Sequence, residues 1–284
     1  MKELKDISMG GERPLFASHD LHLDNVTITA GESGIKCCSN IHADNCRFEG
    51  KYPFWHVDGF KIHNCLFTPG ARAALWYSKD LEMTDTIVDA PKMFREMTSL
   101  RLERVKLNDA LETFWHCSKV KLEDVEVQHG DYLFMHSRDI KIRNYRQQGN
   151  YSFQYCRNVE IHNAVIDSRD AFWETENVTV YDSSIDGEFL GWHSKNLKFV
   201  RCHISGIQPL CYAEGLVLED CTFDPSCNLA FEDSSVKAVI NSPVTSIKNP
   251  REGSIAAESF GEIIFDENLR RPGNCKVTLL PKKQ

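Results

Sequence analysis

The feature that most constrains this chain is a repeat of about 20 residues that runs through most of its length. Each unit reads apolar-x-apolar-x-(Asn or Asp)-small-x-apolar, as in LHLDNVTI at 21–28 and VKLEDVEV at 120–127. Successive units begin 19 to 21 residues apart. The residues that begin them are Leu21, Ile41, Phe60, Leu81, Leu100, Val120, Ile140, Val159, Val178, Leu197, Leu216 and Val236. Such regular spacing predicts a solenoid in which each repeat forms one coil.

Each repeat unit is typical of two short strands joined by a turn. The apolar residues alternate with a period of two on both sides of the Asn or Asp position, which favours strands over a helix. Asn and Asp hold that position in nine of the twelve units, and they tolerate the left-handed backbone of a turn. We therefore predict an all-β protein, a single-stranded right-handed parallel β-helix of about twelve coils of 19–21 residues. Its hand follows from the strong preference of crossover connections for the right-handed form.

The regular spacing also predicts the domain organisation. We expect 1–284 to form a single β-helix domain, with an N-terminal cap at 1–19, repeat coils at 20–244 and final strands or a cap at 245–284. A solenoid needs covered ends because exposed strand edges invite aggregation.

Charge and composition narrow the class of partner. The chain has 41 Asp and Glu against 33 Lys and Arg, a net charge of −8, which is opposite to the basic surface of proteins that bind nucleic acid. No apolar run has the length of a signal peptide or of a membrane span. We therefore expect a cytoplasmic protein with neither nucleic acid nor a membrane as a partner. The eleven cysteines are an odd number, and we expect reduced thiols that mainly pack the interior.

A third apolar segment separates successive units, and it carries all the tryptophans of the chain. These are Trp55, Trp76, Trp115, Trp173 and Trp192, which share one position of the repeat. Lys36, Arg95 and Gln154 occupy the same position in other coils, and burial of such residues without partners is costly. We therefore predict that the tryptophans face solvent. The preceding position, which includes Phe114 and Phe134, is expected to face the core.

A polar position follows the tryptophans, and it conflicts with strict alternation. It contains His56, Tyr77, Glu96, His116, His136, Tyr155, Glu174, His193, Tyr212 and Glu232. If the tryptophans face outward, strict alternation turns the next position inward and buries these polar residues. A bend or bulge must then intervene to keep them in solvent. The opposite assignment places the tryptophans inside and the glutamates in solvent. Both assignments put aromatic and titratable residues side by side along one segment.

Several long stretches give this chain a resemblance to a known family. KYPFW (51–55), RAALWY (72–77), DAFWETENVTVYDS (170–183) and GEFLGWHSKNL (187–197) resemble a bacterial family of proteins of unknown function, DUF family 3737. The resemblance implies a right-handed β-helix of the pectin-lyase-like type. It implies no catalytic residues, because the family has no established activity.

One candidate catalytic constellation lies in the middle of the repeats. Arg95 and Glu96 share a coil, and His116 and His136 follow on the next two coils. Adjacent coils lie about 4.8 Å apart, so a carboxylate and an imidazole can share a proton there. The alternative interpretation is a ladder of solvated polar residues.

A second candidate constellation centres on Glu174, with Tyr155 on the coil before it and His193 on the coil after it. Glu96 and Glu174 are four coils apart, roughly 19 Å, which is too far for a glycosidase carboxylate pair. No Asp triad in a single column is apparent in the repeat. We expect no metal and no cofactor, because two histidines make a weak metal site and no phosphate-binding loop is present.

Two functions of different classes remain. The first is binding or processing of an oligosaccharide, with the five tryptophans and Tyr155 as the binding surface; an enzyme with this fold would be a lyase, hydrolase or isomerase of poly- or oligosaccharides. The second is a non-enzymatic scaffold whose aromatic face contacts another protein.

Overall fold

The chain forms about 14 turns of a parallel β-solenoid. The computed structural model describes residues 1–269 and 273–281, and it divides into two compact units, Met1–Gln148 and Gly149–Gln284. Every regular element among the described residues is a β-strand. Over the same part of the chain there is no helix long and apolar enough to cross a membrane. The all-β prediction is confirmed, whereas the single-domain assignment stays a prediction.

The first unit contains two parallel ladders of strands. One ladder runs β1–β3–β5–β7–β9–β11–β12–β13, and the other runs β2–β4–β6–β8–β10 and continues along the second half of β11. The strands are β1 (Lys2–Lys5), β2 (Ser8–Glu12), β3 (His19–Asp24), β4 (Thr27–Glu32), β5 (Ser39–Asp44), β6 (Arg47–Phe48), β7 (Asp58–His63), β8 (Leu66–Phe67), β9 (Lys79–Thr84), β10 (Ile87–Val88), β11 (Thr98–Leu107), β12 (Ser118–Val127) and β13 (Arg138–Gln148).

The second unit repeats this arrangement. One ladder runs β14–β15–β17–β19–β20–β21–β22, and β16 and β18 form the other between β14 and β19. The strands are β14 (Arg157–Asp167), β15 (Glu176–Tyr181), β16 (Ser184–Asp186), β17 (Lys195–Val200), β18 (His203–Ser205), β19 (Leu216–Phe223), β20 (Ser235–Lys248), β21 (Glu252–Ile264) and β22 (Lys276–Leu279).

The core consists of apolar columns that run from coil to coil. Leu102 pairs with Leu122, and Leu122 pairs with Ile142, in direct register. All three side chains are buried, as the repeat predicts. Each buried Leu or Ile contributes roughly 1.5–3 kcal/mol of transfer free energy, so the repeated column is the main source of stability in these coils.

The turn between the first and second strand contains one residue with a left-handed backbone conformation, as the Asn and Asp pattern predicts. Asn45 and Asn64 have φ angles of 57° and 49°, and the Asn64 side-chain amide donates to Asn45 Oδ1 at 2.7 Å. Arg104 departs from the pattern and still has a φ of 52°. Its guanidinium makes two hydrogen bonds to the carboxylate of Asp85 on the preceding coil, at 2.7 and 2.9 Å. This bidentate ion pair takes the place of the hydrogen bond between side-chain amides that joins Asn64 to Asn45.

The terminal segments continue the coils. Strands β1 and β2, within the predicted cap at 1–19, pair in parallel with β3 and β4. At the other end β21 pairs with β20, and β22 pairs with β21. These additional turns explain why the solenoid has about 14 turns where the repeat predicts about twelve. Residues 270–272 and 282–284 of the predicted C-terminal segment lie outside the described residues.

Candidate functional site

The third segment of each coil carries the predicted site residues, and its backbone is not that of a strand. Tyr132, Phe134 and His136 have φ angles of 60°, 61° and 57°, so every second residue is left-handed, which bulky residues rarely are. The second unit shows the same alternation at 170–174. Phe134 and Ser137 are both buried, while His136 between them is exposed. The left-handed residues thus supply the bend that the polar position requires.

The tryptophans lie at the side of this bend and are half-buried. Trp55, Trp76 and Trp115 each donate the indole N–H to a backbone carbonyl of the following coil, at 2.6, 2.7 and 2.6 Å. In the second unit Trp173 and Trp192 make the same bond at 3.2 and 2.9 Å. The sequence predicts tryptophans that face solvent, with an inward orientation as the alternative, and the structure gives an intermediate orientation.

The faces of several indoles are already covered. Trp55 and Trp76 stack at 5.3 Å between centroids, and Lys36 Nζ lies 5.5 Å from the Trp55 ring. Trp173 and Trp192 stack at 6.0 Å. Sugar rings pack on free aromatic faces, so these indoles offer a ligand mainly their edges.

Arg95 belongs to the same stack. Its guanidinium carbon lies 4.2 Å from the ring centroid of Trp76 and 4.5 Å from that of Trp115, a double cation–π contact. The side chain is 20% exposed and forms an ion pair with Glu112 at 3.5 Å. The structure therefore places Arg95 in packing between two indoles, whereas its sequence neighbour Glu96 is exposed.

The polar position of the first unit forms an exposed outer stripe of His56, Tyr77, Glu96, His116 and His136. His56 stacks on Tyr77 and His116 stacks on His136, both with centroids 5.1 Å apart. Glu96, His116 and His136 occupy three successive coils, since each backbone N–H of Glu96 and His116 donates to the next coil. The structure thus brings these three predicted catalytic residues together on one surface.

The stacked imidazoles predict a pH response. Burial, and then the neighbouring His116, lower the pKa of His136. The folded state therefore binds this proton less readily than the unfolded chain, and the free energy of unfolding contributed by His136 falls as the pH drops through about 6.5. In an NMR titration we expect a pKa below 6.5 for His136 and an upward shift in H116Q. The control H19Q, which changes an exposed histidine elsewhere in the first unit, should leave the value unchanged; an unshifted His136 in H116Q contradicts the coupling.

Two residues of the second predicted constellation, Glu174 and His193, line a groove of about 420 Å³, here named groove A. Glu174, His193 and Tyr212 face it from three successive coils, because Glu174 N–H donates to Trp192 O and His193 N–H donates to Cys211 O. Tyr155 lies one coil before Glu174 and is exposed. The other residues that line groove A are Arg157, Thr175, Glu176, Lys195 and Glu214.

Tyr212 is held in place from two sides. Its ring stacks on His193 with centroids 5.0 Å apart, and its hydroxyl donates a long hydrogen bond of 3.5 Å to Glu232 Oε2. Lys248 Nζ pairs with the other carboxylate oxygen of Glu232 at 3.0 Å. Burial and the Glu232 carboxylate raise the pKa of Tyr212. The phenol therefore stays protonated near neutral pH, and because its proton is donated to Glu232, its oxygen can accept a hydrogen bond from a ligand in groove A.

A larger groove of about 670 Å³, groove B, was not predicted from the sequence. Asp167 pairs in register with Asp186, and Asp186 pairs with Ser205. Asp224 continues this column, since Ile204 pairs with Phe223 one residue earlier. The expectation that no column contains three aspartates was therefore wrong. The signal lies in the sequence, because each aspartate follows the last apolar residue of a second strand.

A basic residue and two glycines also line groove B. Arg169 donates to the hydroxyl of Tyr151 at 2.8 Å, and its Nε lies 3.5 Å from Asp170. Gly187 and Gly206 line the groove between the acidic residues. Carboxylates, a guanidinium and exposed backbone are groups that hydrogen-bond sugar hydroxyls.

The protein is thus a parallel β-helix protein with two polar grooves in its second unit, one at the start and one at the end of the third segment. A family model described as "Protein of unknown function (DUF3737)" matches residues 2–278. The chain therefore belongs to the DUF3737 family, which confirms the resemblance seen in the sequence. A search of curated proteins gives no match.

Solved structures with a similar course of chain include three kinds of protein. The surface adhesin PfbA of Streptococcus pneumoniae has a TM-score of 0.48 and 9% identity, with 94% of this chain and 85% of that chain covered. The A-module of the mannuronan C-5 epimerase AlgE6 of Azotobacter vinelandii has a TM-score of 0.30 and 9% identity, covering 96% and 80%. The pentapeptide repeat protein HetL of a Nostoc species has a TM-score of 0.26 and 11% identity, covering 78% and 92%.

Proposed function

We propose that this protein binds an oligosaccharide at groove A of the second unit and that Glu174 and His193 transfer protons on the bound sugar. The observation that carries the proposal is the placement of a carboxylate, an imidazole and a phenol on three successive coils around one groove. Adjacent coils are about 4.8 Å apart, which brings an acid and a base within reach of one glycosidic oxygen or one ring proton.

The charged rim of groove A supports the same class of ligand. Arg157 and Lys195 supply donors, and Glu176 and Glu214 supply acceptors, a mixture that suits the hydroxyls and carboxylates of sugars. Trp192 packs edge-on against Tyr212, with centroids 5.2 Å apart, and so supports a ring that lines the groove. Because the face between the indoles of Trp173 and Trp192 is covered, the polar groups of groove A are proposed to provide most of the recognition.

The test is a screen of acidic and neutral oligosaccharides for binding by calorimetry and for turnover by product analysis. For a ligand that is processed, we expect E174Q to lower the turnover number about 10²- to 10⁴-fold, the usual contribution of a general acid or base. H193N is expected to have an effect of the same order. W192A is expected to weaken binding and to change turnover less.

The matched control is E258Q, an exposed glutamate of β21 that is not among the residues lining groove A. It should leave binding and turnover unchanged. E96Q reports on the outer stripe of the first unit, so turnover lost in E96Q and retained in E174Q places the chemistry there and contradicts the groove A assignment. A screen in which no oligosaccharide binds contradicts the proposed function itself.

A non-enzymatic scaffold is the second candidate, and the outer stripe favours it. His56, Tyr77, His116 and His136 present stacked rings at an exposed surface, and such aromatic surfaces are common in protein interfaces. This function predicts a stable complex that is lost in Y77A and is indifferent to E174Q, measured by size-exclusion chromatography of the purified pair.

A further inference from the structure

Four of the eleven cysteines form two pairs on consecutive coils. Cys46 and Cys65 follow the left-handed turn residues Asn45 and Asn64 in the first unit. Cys202 and Cys221 occupy the same repeat position in the second unit, because the residues that follow them, His203 and Thr222, pair in register. All four side chains are at most 4% exposed. All four are free thiols in the structure.

Within the first unit the sulfur of Cys65 lies against the backbone of Cys46. The backbone N–H of Cys46 donates to Cys65 Sγ at 3.3 Å. The thiol of Cys46 also donates to Asp44 O at 3.2 Å, and that of Cys65 donates to His63 O at 3.1 Å. Both thiols therefore point into the same column, one coil apart.

The second unit reproduces this geometry. The thiols of Cys202 and Cys221 donate to Val200 O at 3.4 Å and to Glu219 O at 3.5 Å, each two residues back along the chain. Repetition of the contacts in a second unit shows that they follow from the repeat position and not from an accident of local packing.

Each pair is isolated within its column. Thr86 follows Cys65 on the next coil and accepts its backbone N–H, while Ser183 precedes Cys202, as shown by the bond from His203 N–H to Ser183 O. Cys221 pairs in register with Ile240. A thiol in either pair therefore has a single thiol neighbour, which leaves one partner for a covalent bond.

The paired thiols also differ electrostatically from a lone buried thiol. The interaction between the two thiols of a pair lowers the pKa of Cys46 and raises that of Cys65. It likewise lowers the pKa of Cys221 and raises that of Cys202. Burial is the main cause that raises the pKa of Cys117, which has no thiol partner of this kind, to about 12. Each pair thus releases a first proton more readily than an isolated buried thiol does, and the thiolate is the reactive form.

We propose that Cys46–Cys65 and Cys202–Cys221 are two redox-active dithiol sites, each of which a peroxide closes into a disulfide between consecutive coils. In-register parallel neighbours have Cα atoms about 4.8 Å apart, inside the range of about 4.4–6.8 Å that a disulfide spans. The exposed turn residues Asn45 and Asn64 lie next to the first pair, so opening of a single turn admits a small oxidant.

The chemistry balances with hydrogen peroxide as the two-electron oxidant. One thiolate attacks a peroxide oxygen, the O–O bond breaks, and the sulfur becomes a sulfenic acid while water leaves after protonation. The second thiol then attacks that sulfur, the S–O bond breaks, and a second water leaves. Two S–H groups and one peroxide thus give one S–S bond and two waters.

The test is intact-mass analysis and peptide mapping of the full chain before and after a limited dose of hydrogen peroxide, in a C37S background that removes the exposed thiol. We expect a mass loss of about 2 Da per disulfide, cross-linked peptides Cys46–Cys65 and Cys202–Cys221, and full recovery on reduction. The oxidised chain should unfold at higher denaturant concentration, because each bond closes a loop.

Two variants and a control separate the sites. C65S should abolish only the first cross-link and C221S only the second; hydroxyl side chains are tolerated at this position, since Thr86 and Ser183 occupy it in neighbouring coils. C117S, which removes a buried thiol outside both pairs, should lose neither. Absence of the mass loss in the C37S chain, or cross-links that involve other cysteines, overturns the proposal. This peptide map of the C37S chain remains informative even if C65S or C221S fails to fold.

Discussion

Replacing Phe114 by Ala should lower the free energy of unfolding by about 3–5 kcal/mol. The ring is fully buried and stacks on Phe94 and on Phe134, with centroids 4.7 Å away on both sides. Truncation opens a cavity and removes two aromatic contacts of about 0.5–1.5 kcal/mol each. Chemical denaturation of the wild type and of F114A, followed by circular dichroism, measures the difference.

The matched control lies two residues away in the same coil. His116 is exposed, so H116A should change the free energy of unfolding by no more than about 0.5 kcal/mol. F114L keeps most of the volume and should cost less than F114A. A loss below about 1 kcal/mol in F114A is incompatible with a packed aromatic column at this position.

The repeat predicts this column but not the backbone that carries it. Spacing alone aligns Phe94, Phe114 and Phe134, because each coil adds one residue to every column. Phe114 nevertheless has a φ of 61°, which costs an L-residue roughly 1–2 kcal/mol. Asn or Gly would signal a left-handed residue, and phenylalanine does not. The stacking energy between phenylalanines of adjacent coils offsets the strain of the left-handed backbone. Because this energy comes from contacts between coils, the sequence of a single coil does not reveal the backbone conformation.

The same limit explains what was missed at the candidate sites. Strand alternation gives the orientation of Leu102 and Leu122 correctly, since both lie in regular strands. It fails from Arg95 onwards in the aromatic segment, where the alternating left-handed residues change the direction of successive side chains. Arg95 therefore packs between indoles instead of joining Glu96. Groove B was missed for a different reason, because the residue after a second strand changes from Asp to Ser at Ser205 and the column no longer looks acidic throughout.

The number of coils at the ends of the solenoid was also underestimated from the sequence. Strand β1, with the sequence KELK, and strand β2, with SMGGE, have few apolar residues, so the repeat is not recognisable there. They pair because the exposed edge of the first regular coil offers backbone donors and acceptors. Backbone hydrogen bonds therefore extend the solenoid through β1 and β2, where the side-chain pattern of the repeat is absent.

Replacing Gly206 by Ala should destabilise the chain by about 3 kcal/mol or more. Gly206 has a φ of 113°, and an added Cβ would lie 2.2 Å from the carbonyl oxygen of Gly187 on the preceding coil. A backbone oxygen cannot rotate away as a side chain can, so the two coils must separate where they form the wall of groove B. Chemical denaturation reports the loss of stability, and amide hydrogen exchange around Gly187 and Gly206 reports the separation.

Gly59 provides the control that separates backbone strain from steric collision. It also has a positive φ, 68°, but an added Cβ meets nothing within 4 Å. G59A should therefore cost only the conformational strain of a left-handed residue, about 1–2 kcal/mol, with no change in exchange at groove B. Equal losses in G59A and G206A mean that the collision with Gly187 is relieved without cost, and that the close approach of the two coils does not set the shape of groove B.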